Sequence, residues 1–346
     1  MSGGTTMTYM SAAGGSVTGG YPTGAWRPSG PLRMTPGRWV ALAVAVPVAL
    51  ALIGWTGFSV VASLARGSYP FSYSVPVHNG QVSVNVNGGD VALREVSGSG
   101  TARLSGTVQY GLLRPGISEN TTPTGTDVGV DCGGVSTGNC GMNATLNVPA
   151  QTSVTLSSNG GDIDASGFTS GMTLSAGGGN MNANNLSGHL VLDTGGGDLT
   201  GGTLTGTIQV STEGGNVNAG NWIGTGTTRL DTGGGDLSVN GLAGDFQLST
   251  EGGNVDANGV TSRTVTMQSG GGDVSLTFTQ VPQGLTITAD GGNVTVILPP
   301  GNTKYDISTP DLSGGNTSIP SSLVDRNSPH TITIDSGGGD VTVSQS

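Results

Sequence analysis

Two consecutive segments of equal length, 193–230 and 231–268, have closely similar sequences and follow one another without a gap. Each segment contains two similar halves, one built on Gly-Gly-Gly-Asp and the other on Glu-Gly-Gly-Asn. Self-similarity at a short fixed period is the mark of repeat architectures, in which each unit buries its apolar face only by stacking on its neighbours. This repeat therefore constrains the fold more than any other feature of the chain.

The half-repeat extends well beyond these two segments. The Asp or Asn that ends each glycine run recurs at a nearly constant interval, and acid and amide alternate strictly. These residues are Asp162, Asn180, Asp198, Asn216, Asp236, Asn254, Asp273 and Asn293. An early copy ends at Asp90, and weaker copies end at Asn316 and Asp340.

Alternating apolar residues flank each glycine run, as in Ile208 and Val210 before one run and Val217 and Ala219 after it. Period-two alternation over about five residues indicates a half-buried strand, and glycine supplies the positive φ that tight turns need. One unit is then two short strands and two turns. We predict an all-β fold, a single-chain β-solenoid over 80–346 with coils of about 18–20 residues, one for each half-repeat. A β-sandwich also has many short strands and turns, but the near-constant period favours the solenoid.

The alternation of acid and amide distinguishes two coil lengths. Coils of one half-repeat place each carboxylate between two amides in one column, with neighbours about 4.8 Å apart. Coils of a whole segment, twice as long, would stack Asp198, Asp236 and Asp273 directly. At that distance two unit charges repel by about 3.5 kcal/mol at an effective dielectric constant of 20. We therefore infer the shorter coil, in which the amides can donate hydrogen bonds to the carboxylates.

The N-terminal part contains a charge-free apolar segment, residues 39–65, which is long enough to span a bilayer. Three arginines lie just before it and one just after it, so the positive-inside rule places the N-terminus in the cytoplasm. We expect a disordered cytoplasmic tail at 1–36, one transmembrane helix at 37–66 and a linker at 67–79. A signal peptide cleaved after Ala65 is the competing interpretation, although this apolar run is much longer than the core of a signal peptide.

Cys132 and Cys140 are the only cysteines of the chain. In an exported segment such a close pair predicts a disulfide that closes a glycine-rich loop. Two cysteines without a nearby histidine do not make a zinc site. Just before this pair, residues 111–127 are rich in Pro, Gly, Thr and Asn and predict an inserted loop.

The sequence contains no recognisable constellation of catalytic residues. Its three histidines lie far apart, at His78, His189 and His330, and neither a nucleophile elbow nor a phosphate-binding loop occurs. We therefore expect a protein that is not an enzyme and has no small-molecule substrate. After residue 66, 22 acidic residues face seven basic ones, which argues against nucleic-acid binding. No cofactor is expected; calcium stays open, although Asn at every second repeat position removes carboxylates that Ca²⁺ prefers.

Two segments combine the repeat with a Val-Pro lead-in, at Val148–Pro149 and Val281–Pro282: NATLNVPAQTSVTLSSNGGDIDASG and VPQGLTITADGGNVTVILPPGNTKYDISTPDLSGGN. In these features the chain resembles the putative adhesin family of bacterial envelope proteins, whose domains are also called toast-rack domains. The resemblance covers residues 80–346. It implies a β-helical extracellular domain, often tethered by one membrane helix, with a role in adhesion or envelope-stress signalling and without catalytic residues.

These features together predict a single-pass membrane protein that carries an extracytoplasmic interaction module. The leading role is adhesin-like binding of an unknown protein or cell-surface partner. An ectodomain of an envelope-stress sensing system and a structural surface spacer are the alternatives.

Overall fold

The structure is a computed structural model that describes residues 43–53, 66–98, 100–111, 114–123, 125–131, 140–311 and 314–346. It divides into two units, Met1–Gly57 and Phe58–Ser346. In the first unit, residues 43–53 form a helix whose valine and leucine side chains are exposed. No helix within the described ranges is long and apolar enough to cross a membrane. The expected tail and most of the expected transmembrane segment lie outside the described residues.

The described part of the second unit consists of 27 strands and one short 3₁₀ helix, Ser321–Leu323. The strands are β1 (Gly67–Val75), β2 (Gln81–Asn87), β3 (Asp90–Val96), β4 (Ala102–Tyr110), β5 (Gly116–Thr122), β6 (Gly125–Asp131), β7 (Gly141–Pro149), β8 (Ser153–Ser158), β9 (Ile163–Ser166), β10 (Met172–Ala176), β11 (Met181–Asn184), β12 (Leu186–Thr194), β13 (Leu199–Gly201), β14 (Leu204–Thr212), β15 (Val217–Ala219), β16 (Trp222–Thr232), β17 (Leu237–Asn240), β18 (Leu242–Thr250), β19 (Val255–Val260), β20 (Thr264–Ser269), β21 (Val274–Phe278), β22 (Gly284–Ala289), β23 (Val294–Leu298), β24 (Asp306–Ser308), β25 (Thr317–Ser318), β26 (Thr331–Ser336) and β27 (Val341–Gln345).

The strands form two sheets. Sheet A has 14 strands in the order β1-β4-β7-β3-β9-β11-β13-β15-β17-β19-β21-β23-β27-β25. Sheet B has 13 strands in the order β24-β26-β22-β20-β18-β16-β14-β12-β10-β8-β2-β6-β5. From β8 to β23 the chain alternates between the sheets, so that each coil contributes one strand to each of them.

From β8 to β23, successive strands of each sheet lie parallel, and their inward residues pair in register through most of the stack. In sheet A, Met181 pairs with Leu199, Leu199 with Val217 and Val217 with Leu237. In sheet B, Leu192 pairs with Val210. Partners in the repeat region thus lie one half-repeat apart in the sequence, which confirms the predicted coil length and rules out the coil of twice that length. This parallel register is that of a β-solenoid and differs from the antiparallel pairing of a β-sandwich.

The core lies between the two sheets and is built from the inward positions of every strand. A fully buried aliphatic side chain of this kind contributes about 1.5–3 kcal/mol to folding, and a three-residue strand can bury its side chains only because neighbouring coils cover them. The central core residues, each at most 1% exposed, are Ile163, Met181, Leu199, Val217 and Leu237 from sheet A and Leu174, Leu192, Val210, Leu230 and Leu248 from sheet B.

The predicted linker at 67–79 is wrong for most of its length. Residues 67–75 form β1, which pairs antiparallel with β4 along its whole length. The alternating Tyr69, Phe71 and Tyr73 pack against the core. Pro70 hides this alternation in the sequence, yet proline is tolerated in an edge strand, where its missing N–H is not needed for pairing.

The predicted loop at 111–127 also contains regular structure. It includes β5 and the beginning of β6, which form an antiparallel hairpin. This hairpin extends sheet B, because β6 pairs parallel with β2. The N-terminal end of the solenoid is therefore closed by antiparallel strands in both sheets.

Candidate functional site

The Asp and Asn residues that end the glycine runs form one exposed column, at the corner where each coil passes from sheet B to sheet A. We call it the Asx column. It contains all ten predicted repeat-turn residues together with Asn316 and Asn143, and Asn143 pairs with Asp90 in the neighbouring strand. Its order in space is Asn143, Asp90, Asp162, Asn180, Asp198, Asn216, Asp236, Asn254, Asp273, Asn293, Asp340 and Asn316.

A regular ladder of hydrogen bonds joins the column residues from Asp90 onwards. The backbone N–H of each residue donates to the side-chain Oδ1 of the preceding one. The N···O distances are 2.7–2.8 Å where the acceptor is Asp162, Asp198, Asp236, Asp273 or Asp340. They are 2.9–3.0 Å where the acceptor is an asparagine. The shorter distances to the carboxylates are those of charge-assisted hydrogen bonds.

The amides of the column also donate to the carboxylates. The Nδ2 atoms of Asn216, Asn254 and Asn293 lie 3.2 Å from Oδ1 of the preceding aspartate. Each of these carboxylates thus accepts two hydrogen bonds at one oxygen and has no carboxylate as its neighbour in the column. This arrangement is the predicted one.

The alternation has one exception, at the N-terminal end of the column. Asp162 donates its backbone N–H to Oδ1 of Asp90 at 3.0 Å, so two carboxylates are direct neighbours here. Asn143 compensates on the other side, because its amide, oriented by its hydrogen bonds, donates to Oδ2 of Asp90 at 3.0 Å. Sequence reasoning missed Asn143, since it lies in β7 and follows no Gly-Gly pair.

Close approach of the backbone explains the glycine that precedes each column residue. A Cβ atom at Gly179, Gly197, Gly215, Gly235 or Gly253 would lie only 1.9–2.1 Å from the carbonyl oxygen of the equivalent glycine one coil earlier. The interpretation that these glycines supply positive φ is wrong, because none of them has a left-handed φ. Positive φ does occur in two other glycine runs, at Gly88, Gly89 and Gly292, and in a glycine column near the opposite edge, at Gly188, Gly206 and Gly244.

A buried hydroxyl column supports the same corner from inside. Thr194 and Thr212, four residues before their column residues, donate to the carbonyl oxygens of Gly197 and Gly215 at 2.9 and 3.0 Å. Ser336 donates to Gly339 at 3.1 Å in the last coil. Sequence reasoning missed these residues, although a Thr or Ser at a constant distance before the Gly-Gly pair was a visible signal.

The strongest sequence repeat spans two coils instead of one, because within it the first residue of the corner alternates between glycine and glutamate from coil to coil. A Cβ atom at Gly195, Gly233 or Gly270 would lie 2.1–2.3 Å from a carbonyl oxygen of the preceding coil. In the coils between them, Glu213 and Glu251 occupy this position. Where the corner begins with Glu its column residue is Asn, so each of these corners has one carboxylate.

The other candidate groups lie away from the column. Cys132 lies outside the described residues, and Cys140 is not a free thiol, so the pairing of the two cysteines stays a prediction. His330 Nδ1 lies 2.8 Å from the carbonyl oxygen of Pro282 at the C-terminal end. Within the described ranges, no group of three or more His, Cys, Asp or Glu side chains could hold a metal ion.

Two tyrosines at the ends of the solenoid have a shifted pKa. Burial raises the pKa of Tyr73, and the nearby Glu119 carboxylate raises it further. Burial alone raises the pKa of Tyr305. Both phenols are therefore neutral at physiological pH.

The sequence model of the family described as Toastrack DUF4097 matches residues 142–344. No curated protein matches the chain.

Several solved structures are similar to this chain, among them the following three. A putative adhesin from Parabacteroides merdae ATCC 43184 is 14% identical, covers 81% of this chain and 96% of its own, and has a TM-score of 0.44. A putative adhesin from Bacteroides fragilis NCTC 9343 is 13% identical, covers 81% of this chain and 97% of its own, and has a TM-score of 0.33. A putative cell adhesion protein from Clostridium sporogenes ATCC 15579 is 14% identical, covers 81% of this chain and 100% of its own, and has a TM-score of 0.21.

Proposed function

We propose, from the premise that this chain belongs to the Toastrack DUF4097 family, that it is a non-enzymatic, adhesin-like interaction module displayed outside the cytoplasmic membrane. The observation that carries the proposal is the outer face of sheet A from β9 to β27. On this face the described strands present short polar side chains in successive coils and no lysine or arginine.

The central row of this face runs beside the Asx column, two residues further along each strand. Its members are exposed or half-buried: Asp164, Asn182, Thr200, Asn218, Ser238, Asp256, Ser275, Thr295 and Thr342. Together with the column they offer hydrogen-bond donors and acceptors in every coil, about 4.8 Å apart along the solenoid. At its N-terminal end the face contains a shallow groove of about 820 Å³, lined by Asp90, Asp162, Asp164 and Asp198 among others. Such a surface suits a polar, extended partner.

The apolar segment 39–65 supports a single membrane anchor for this module. Its described part, residues 43–53, is helical and exposes Val44, Leu50 and Ile53, which are 60–66% accessible. We propose that the N-terminus is cytoplasmic, that the solenoid is extracytoplasmic, and that Cys132 and Cys140 form a disulfide there. A C-terminally tagged full chain should fractionate with membranes at its full-length mass. A soluble product beginning at Arg66 would reject the anchor.

The interaction face can be tested with two matched sets of substitutions. One variant carries Asn182→Lys, Thr200→Lys and Asn218→Lys on the outer face of sheet A. The control carries Thr173→Lys, Gln209→Lys and Thr286→Lys at exposed positions of sheet B. Cells that display the wild-type chain should attach to cell surfaces more than cells without it. The sheet A variant should lose this gain and the sheet B control should keep it.

The same experiment separates adhesion from the other roles. If display of the wild-type chain does not increase attachment at all, the adhesive role is wrong, and a sensory ectodomain or a structural spacer takes its place. If the sheet B control loses attachment as strongly as the sheet A variant, the interaction face is wrongly placed.

A further inference from the structure

The C-terminal end of the solenoid is closed in an order that differs from the order of the chain. In sheet B, β26 lies between β22 and β24, and in sheet A, β27 lies between β23 and β25. The outermost layer is therefore formed by an earlier segment, residues 305–311 and 314–324, which we call the clasp. The last coil, residues 331–346, lies beneath it.

The last coil is paired on both sides in both sheets. β26 pairs with β22 at six positions and with β24 at three. β27 pairs with β23 at five positions and with β25 at two. The inner side of the last coil is thus held along its whole length, and the clasp covers only part of its outer side.

The order of these coils continues the Asx column. In chain order, Asn293 would be followed by Asn316 and then by Asp340. In space, Asp340 lies between the two asparagines, and Asn316 donates its backbone N–H and its Nδ2 to Oδ1 of Asp340 at 2.8 and 3.3 Å. The insertion of the last coil therefore preserves the alternation of acid and amide.

The clasp buries its apolar side chains less completely than the last coil does. Its buried members are Tyr305 and Leu323, and Ile307 and Ile319 pack against the core half-buried. The last coil fully buries Ile332, Ile334, Val341 and Val343. Tyr305 is the centre of the attachment, since its backbone N–H donates to Leu323 at 2.8 Å and its carbonyl oxygen accepts from Asp325 at 2.9 Å. The Tyr305 hydroxyl has no hydrogen-bond partner within the described structure.

We infer that the clasp is a lock for the last described coil: residues 331–346 can leave or enter the solenoid only while the clasp is open. A linear solenoid loses structure from its terminal coil, because that coil has only one neighbour. Here the coil with one neighbour is the clasp, and the later coil, residues 331–346, is covered by it. Unfolding of residues 331–346 then requires prior opening of the clasp.

Hydrogen exchange of the full chain, measured by mass spectrometry of peptides, tests this inference. The lock predicts that the amides of 331–346 exchange at least about tenfold more slowly than those of the clasp. The substitution Tyr305→Ala should accelerate exchange in the clasp and in 331–346 together by about tenfold or more, and should leave β12–β14 unchanged.

Tyr305→Phe is the matched control. It keeps the buried ring and removes a hydroxyl that has no partner among the described residues, so exchange in both segments should match the wild type. The lock is wrong if 331–346 exchanges faster than the clasp in the wild type. It is also wrong if Tyr305→Ala accelerates the clasp but not 331–346, or accelerates β12–β14 equally.

Discussion

The two edges of the solenoid differ in how much variation they accept. At the Asx corner, where each coil passes from sheet B to sheet A, the last residue of the sheet B strand is buried. This residue precedes the column residue by the same interval in every coil from Ser158 to Ser336. At the opposite edge the register shifts repeatedly, between Ile223 and Thr227 in β16 and between Ala257 and Val260 in β19. The small differences in length between coils fall at or near this second edge.

Packing distance explains the contrast. At the Asx corner the backbones of successive coils approach so closely that a Cβ atom has no room, and every rung adds a hydrogen bond with fixed register. At the opposite edge the backbones also come close at Gly206, where a Cβ would lie 2.0 Å from the carbonyl oxygen of Gly188. Thr225 and Gly226 are exposed, however, and a Cβ on Gly226 would meet no atom within 4 Å. Insertions are therefore accommodated where the backbone faces solvent, and the Asx corner sets the register of the stack.

The largest expected effect comes from filling the space at the Asx corner. Gly215→Ala places a Cβ atom 1.9 Å from the carbonyl oxygen of Gly197, so the two coils must separate. We expect a loss of about 3 kcal/mol or more in the free energy of unfolding, measured by denaturant titration. Gly214→Ala in the same corner is the control, because a Cβ there meets nothing within 4 Å. Equal stability of the two variants would refute the packing explanation.

A smaller effect is expected from the charge of the column. Asn216→Asp replaces the amide between Asp198 and Asp236 by a third carboxylate and removes the Nδ2 donor that lies 3.2 Å from Asp198. We expect a loss of about 1–3 kcal/mol at neutral pH and low salt, and less at high salt. Asn218→Asp adds the same charge two residues further on, between Thr200 and Ser238. Chemical unfolding at pH 7 should show a clearly smaller loss for this control.

The buried hydroxyls offer a matched pair with a still smaller effect. The Thr212 hydroxyl donates to Gly215 at 3.0 Å, whereas the equivalent Thr232 hydroxyl is buried without a hydrogen-bond partner among the described residues. Thr212→Val should lower the free energy of unfolding by about 1 kcal/mol. Thr232→Val should be neutral or stabilising in the same thermal melts, and the reverse ranking would contradict the assigned role of the hydroxyl.

The smallest effect is expected at the opposite edge. Removal of Thr225 and Gly226 shortens β16 from 11 residues to the nine of its neighbours β14 and β18. We expect a change of less than about 1 kcal/mol, since the loss is confined to an exposed bulge. Removal of Glu213 and Gly214 from the Asx corner should instead unfold the adjacent coils. A similar tolerance at both edges, seen by circular dichroism, would remove the distinction between them.

Much of the repeat region could be predicted from the sequence, because each coil repeats the same local signals. Alternating apolar residues identified the strands, and the acid–amide alternation selected the correct coil length. The role of the glycines could not be predicted, since a Gly-Gly pair fits both a positive φ and a close backbone contact. Only the stacking of the coils distinguishes these two explanations, as it does at Gly215.

The two ends of the solenoid were predicted less well, for physical reasons. Pro70 interrupts the alternation of β1, and β5 contains only one large apolar residue, Ile117. At the other end, the weakly patterned strands β24 and β25 take the outer positions, and the strongly alternating last coil takes the position with two neighbours. Burial of the more apolar coil thus decides the order of these strands in the sheets. This order differs from their order in the chain and therefore cannot be seen in the sequence.

The most direct test of the Asx column is the pH dependence of the stability difference between Asn216→Asp and Asn218→Asp. The carboxylate introduced at 216 faces Asp198 and Asp236, so its pKa in the folded state should lie above its unfolded value of about 3.9. Its penalty is therefore present at pH 7, shrinks as the pH falls through the raised pKa, and is largely lost near pH 3, below the unfolded value. The column account predicts that the two variants differ by about 1 kcal/mol or more at pH 7 and agree at about pH 3. A difference that is absent at pH 7, or that is the same at both pH values, would contradict it.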